Sequence, residues 1–133
     1  MSLVVPSDGG FESALGPTLN QAVVAELRLI GEPEGDEFLA ELIGAFTDDI
    51  ERLLPELRHA LRAGDTTAVG HAAHSMKGSG GQIGGQRFAL ACARLEGRAA
   101  AGSPSLDPGA LREVEVLYAE LLTALGGELS PAG

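Results

Sequence analysis

Apolar residues recur along this chain at threes and fours, the spacing that lines up one face of an α-helix. Leu19, Ala22, Val23, Leu27 and Ile30 predict a short first helix from about Pro17 to Gly31. Glu32-Pro33-Glu34-Gly35 reads as a connection, with Asp36 a candidate N-cap. The clearest stripe follows: Phe38, Leu39, Leu42, Ile43, Phe46, Ile50, Leu53, Leu54, Leu57 and Leu61. Pro55 falls inside it and predicts a bend rather than an end, because the period resumes without slipping. Gly64 closes this helix, and Asp65 caps a third that runs from about Thr66 into the glycine-rich stretch near residues 79–82. A fourth begins near Gly85 and carries Phe88, Ala91, Cys92, Leu95 and Ala99 on one face. Beyond a loop at 102–105, Asp107-Pro108 is a cap-and-proline helix start. Leu111, Val114, Leu117, Tyr118, Leu121 and Leu125 then define a last helix, which Gly126-Gly127 is expected to stop.

Nothing alternates at period two for long enough to suggest strands. The expected fold is therefore all-α, an antiparallel four-helix bundle with a short additional N-terminal helix. It should occupy residues 17–127, between a flexible lead-in at 1–16 and a flexible tail at 128–133. No internal repeat is visible, and 133 residues make one domain. A net charge of -10 removes phosphate-backbone binding from consideration, and 4% aromatics with no Trp leaves no platform for stacking bases. The single Cys92 excludes an internal disulfide and suits a buried thiol in a reducing compartment. With no basic, apolar leader and no stretch long enough to span a bilayer, a soluble cytoplasmic protein is expected.

The third helix separates chemistry from packing. Val69, Ala72, Ala73, Met76 and Gly80 share one face, continued by Ile83, and form the core side. His74 points about 150° away from the centre of that face. Around it lie Gly70, His71, Lys77 (the chain's only lysine), Gly78 and Gly81. Glycine costs a helix interior about 1 kcal/mol relative to alanine, so this cluster carries a large propensity penalty. Gly80 is explained by close helix packing. Gly70, Gly78 and Gly81 instead leave the imidazole standing proud, where another protein surface can approach. A neutral imidazole is nucleophilic and can form a phosphoramidate, and Lys77 one turn on can hydrogen-bond the added oxygens. No nucleotide-binding loop is present: the glycines of 78–85 follow a helix and not a strand. The phosphoryl group must then come from a partner. If the third and fourth helices are antiparallel about Gly84-Gly85, His74 eleven residues before the turn lies level with Glu96 eleven after it. Glu96 could accept the proton of one ring nitrogen and leave the other free to attack; it could equally be an ordinary surface glutamate. Gln82, Gln86 and Arg87, nearer the turn, are weaker candidates for contacts to a phosphate or partner.

The run from Ala73 to Gly84 resembles the signature of histidine-containing phosphotransfer (HPt) domains: His, two residues, Lys, Gly, then a further Gly after five residues. His74, Lys77, Gly78 and Gly84 meet it, and the resemblance extends to the Phe46 helix upstream and to Leu95-Glu96 downstream. It implies that His74 is the phosphoacceptor, that Lys77 steadies the phosphoryl group, that Gly78 clears room for docking and that Glu96 holds the imidazole. It also implies a relay between aspartates of receiver domains, in response regulators or hybrid sensor kinases, without kinase activity of its own. No cofactor belongs to the chain, any Mg²⁺ being the receiver's. Met76 stands where Leu is usual, and Gly80-Gly81 replaces residues that are commonly Ser, Ala or Asn. No dimerisation or kinase domain accompanies the module, so a stand-alone, monomeric relay protein is expected.

Two other readings stay open. His71, His74 and Glu96 could bind a metal, although a structural zinc site wants four ligands and Cys92 faces the core. An HPt-like bundle could also dock on a receiver or kinase and regulate it without carrying phosphate. Hydrolytic catalysis lacks a closed pocket, and a membrane-surface helix fails because the exposed faces are acidic.

Overall fold

The computed structural model describes residues 17–102 and 108–129. Within them lie five helices: α1 (Gln21–Ile30), α2 (Gly35–Ala63), α3 (Thr66–Gln82), α4 (Gln86–Ala100) and α5 (Pro108–Leu129). The lead-in at 1–16, the Asp107 cap and the end of the tail at 130–133 lie outside the described residues. The helices α2 to α5 form an all-α bundle against which the short α1 packs. Cross-links fix its direction. Arg94 meets Glu113 at 2.8 Å and Arg87 approaches Glu120 at 3.9 Å, so α4 and α5 run antiparallel.

The apolar stripes of the four long helices supply most of the core, with Phe38, Leu42, Ile43, Leu61 and Leu111 only partly buried. Leu39, Phe46, Ile50, Leu53, Leu54 and Leu57 of α2 are buried, and so are Val114, Leu117, Tyr118, Leu121 and Leu125 of α5. At the centre Phe46, Phe88 and Tyr118 bring α2, α4 and α5 together, with ring centroids 5.8–5.9 Å apart. Pro55 is exposed and α2 continues through it. The lost backbone bond therefore falls on the wet side, where water can replace it. Gly64 ends α2 in the left-handed conformation (φ 67°), and the Asp65 side chain caps α3 by accepting from the Ala68 N–H at 3.0 Å.

Three expected boundaries shift, each for a local reason. Helix α1 starts at Gln21 rather than Pro17, because Asn20 is the cap: its side chain accepts from the N–H groups of Ala22 and Val23. Its own N–H is committed to Gly84 O at 2.8 Å. The buried residue of α1 is Val24, while Leu29 and Ile30 are each 69% exposed. Asp36 is not the cap of α2, which begins one residue earlier at Gly35. There a side chain would strike the Arg28 carbonyl at 2.7 Å, and Asp36 instead accepts from Arg28 Nε at 2.9 Å. Finally, α5 passes through Gly126-Gly127 to Leu129. Arg28 holds that last turn, reaching the Glu128 carboxylate at 3.1 Å and its carbonyl at 2.7 Å, and Gln21 adds a second bond to the carboxylate. These contacts offset the glycines' low helix propensity.

Candidate functional site

Two helices build the site. α3 buries Val69, Ala72, Ala73, Met76 and Gly80 against α2 and α4, and so turns His74 outward with 66% of its side chain exposed. The glycines on that side do what their spacing suggests. A Cβ at Gly78 or Gly81 would meet nothing within 4 Å, and one at Gly70 only the Ala99 methyl at 3.7 Å. Gly80 is the packing glycine, since a Cβ there would come within 2.7 Å of the Phe88 ring.

The turn at 83–85 sets the register. Gly84 adopts φ 87°, a left-handed conformation that favours glycine, and a side chain at Gly85 would collide with Leu121. The Asn20 side chain also donates to Gln86 at 3.2 Å. With the turn pinned, α4 carries Glu96 back to the level of His74, and Glu96 Oε2 lies 2.8 Å from His74 Nδ1. A carboxylate can only accept, so this contact requires the proton on Nδ1 and leaves the Nε2 lone pair available.

Lys77 adds what the sequence did not disclose. Its Nζ lies 2.8 Å from Glu96 Oε1, so one carboxylate serves both the imidazole and the ammonium. Lys77 first, and then His74, hold the Glu96 carboxyl below the ordinary carboxylate range, against the opposing effect of desolvation. An open cleft of about 720 Å³ flanks the ring, with Thr67, Gly70, His71 and Ser75 on its α3 wall and Glu96 and Ala99 on its α4 wall.

The structure thus brings together His74, Lys77 and Glu96, with Gly78 one turn from the imidazole. The weaker candidates are not part of this cluster. Arg87 is buried and faces Glu120, Gln86 is bonded to Asn20, and Gln82 is exposed beside a groove of about 350 Å³ between α1, α2 and α3. Sequence reasoning missed one neighbour, Asp49 on α2, which accepts from Ser79 Oγ at 3.3 Å. Cys92 is buried, and desolvation pushes its thiol up to about 12, leaving it unreactive. Among the described residues no cluster of His, Cys, Asp or Glu has the arrangement of a metal site, and no helix is long and apolar enough to cross a membrane.

The arrangement can offer one nucleophilic nitrogen to an approaching reactant, with a carboxylate behind the ring and an ammonium beside it. Comparison with known proteins agrees with that chemistry. The family model of the Hpt domain matches residues 41–126. A crystal structure of histidine-containing phosphotransfer protein B from Pseudomonas aeruginosa is similar at 32% identity, covering 86% of this chain and 96% of that one, with a TM-score of 0.77. A histidine-containing phosphotransfer protein from Medicago truncatula shares the fold at 23% identity, covering 87% of this chain and 84% of that one, with a TM-score of 0.71. No curated protein sequence matches the chain. With a family match across most of the bundle and a full-length structural relative above 30% identity, the chain belongs to the Hpt family, as a phosphorelay domain of two-component signalling.

Proposed function

We propose that His74 is the phosphoacceptor of this relay domain and exchanges its phosphoryl group with aspartates of receiver domains, free or fused to hybrid sensor kinases. The observation that carries the reading is the 2.8 Å contact between His74 Nδ1 and Glu96 Oε2 on a ring that is 66% exposed. Glu96 fixes the tautomer, and the Nε2 lone pair attacks the phosphorus of an aspartyl phosphate. The N–P bond forms as the P–O bond to the aspartate breaks, and the aspartate leaves as a carboxylate. Any Mg²⁺ for this step sits in the receiver. Lys77 provides the only ammonium side chain of the protein, one helical turn from the acceptor. Gly78 and Gly81 keep the approach low enough for a second active site to close over the ring. The bundle acts as a cytoplasmic monomer in which the four long helices bury their apolar stripes against one another.

The test is phosphoryl transfer from phosphorylated receiver domains to the native chain and to His74→Gln. An acid-labile, alkali-stable label on the native chain that is absent from the variant is the expected result. Receivers that bind the native chain but never label it would replace the relay with a docking regulator.

A further inference from the structure

The open cleft of about 720 Å³ beside His74 holds a second imidazole. His71 lies three residues before His74, which puts their Cβ atoms about 5–6 Å apart on one side of the helix. It is exposed, and among the described residues it has no hydrogen bond or ion pair. The third histidine, His59, lines a separate hollow with Pro55 and Ala68. Helical side chains lean toward their own N-terminus, so the His74 ring reaches back over the turn of Gly70 and His71 and away from Gly78. We propose that His71 donates a ring N–H to an oxygen of the phosphoryl group on His74, and so holds that group on this chain against its return to a receiver aspartate. The proposal deepens the relay reading and rests on His74 being the acceptor.

The geometry of phosphoryl transfer decides what such a neighbour can do. The aspartate oxygen enters or leaves in line with the N–P bond, on the far side of phosphorus from the ring. A side chain one turn back on the same helix lies beside the ring rather than beyond phosphorus, next to the oxygens that project sideways. An imidazole offers one N–H donor when neutral and two when protonated, so the contact needs no change of charge. The N–H is shared and not transferred. The N–P bond still forms as the P–O bond to aspartate breaks, the carboxylate leaves with that electron pair, and His71 keeps its proton.

The other polar groups of the cleft are worse placed for this. Thr66 and Thr67 lie about two helical turns back, and Ser75 is turned about 100° around the axis from His74 on a one-carbon stem. On the α4 wall Glu96 is followed by Ala99 and Ala100, which carry no donor side chain. In a chain of net charge -10, a donor aimed at an anionic group favours the loaded state.

The experiment is an equilibrium partition. The native chain, His71→Ala, His71→Asn and His71→Gln are each mixed with a phosphorylated receiver, and the ratio of label on the chain to label on the receiver is read once it stops changing. Loading with phosphoramidate in the absence of receiver shows separately that His74 accepts the group in every variant. His71→Ala should lower the ratio about tenfold, the loss of one hydrogen bond to a charged group. Asn and Gln carry an amide N–H at roughly the reach of Nδ1 and of Nε2, and one of them should restore most of the ratio. Thr67→Ala, in the same cleft, should leave it unchanged, and the unloaded chain should bind the unphosphorylated receiver equally well in every variant. A His71→Ala ratio equal to the native one overturns the proposal, as does failure of both amides to restore it. A loss that appears equally in binding of the unloaded chain would make His71 a docking contact instead. If the native chain never takes label, the relay reading falls and the proposal with it; a chain that loads normally and partitions without regard to His71 sinks the proposal alone.

Discussion

Gly78 and Gly80 lie two positions apart on α3 and are glycine for opposite reasons. At Gly80 the neighbouring helix leaves no room: a Cβ would come within 2.7 Å of Phe88, a ring that is itself 1% exposed and packed edge-on against Phe46. At Gly78 there is nothing within 4 Å to meet. One glycine is required by the fold and the other is tolerated at a cost to it. The difference teaches where selection for packing ends on this helix. Inside, every position is set by what it touches. Outside, the helix gives up propensity to stay bare around His74.

The largest expected effect tests the inner half of that contrast. Gly80→Val should lower unfolding stability by about 2–3 kcal/mol in urea melts, since Phe88 has no free direction in which to yield. Gly78→Leu tests the outer half. Its melt should be slightly more stable than the native chain's, by somewhat under about 1 kcal/mol of helix propensity, while the rate of phosphoryl transfer from a receiver falls about tenfold, equivalent to about 1.4 kcal/mol of lost approach. A Gly78→Leu protein that transfers at the native rate would make the bare surface incidental. Gly78→Ala should raise stability by about 1 kcal/mol, the helix propensity that glycine forgoes; Gly80→Ala should show no such gain.

The smallest effect is a pH dependence. Glu96 is held below its ordinary range in the folded chain, chiefly by Lys77 and then by His74. Its contribution to stability is therefore present above the unfolded carboxylate range and is lost as the pH falls through the lowered folded value. The stability difference between native and Glu96→Gln should be visible at neutral pH and vanish in acid. A difference that survives full protonation would mean that Glu96 acts through packing rather than charge.

Much of this was legible in the residues. The apolar stripes of the four long helices needed only periodicity, because amphipathic helices of that length have few ways to bury one face each; in the short α1 the period missed Val24, its buried residue, and counted the exposed Ile30. The contact of Glu96 with His74 followed from counting equal distances either side of a turn, which works when two helices are straight neighbours. What stayed hidden depends on side chains reaching between elements distant in sequence. Lys77 could have pointed to solvent; only its rotamer shows that it shares Glu96. Gly126-Gly127 carries every local signal of a helix end, and Arg28, about a hundred residues earlier, overrides it. The Asn20 cap was passed over in favour of a start near Pro17, and nothing nearby announced Gly84 as the acceptor for the Asn20 N–H.

That last bond bears on how the chain tolerates changes in length. Inserting one residue between α3 and α4 would turn α4 by about 100° and slide it about 1.5 Å, so Glu96 would leave the imidazole while both helices stayed intact. Residues 83–85 are short, cross-tied to Asn20 and closed by Leu121. Insertions and deletions should therefore be excluded from this turn in any working relative.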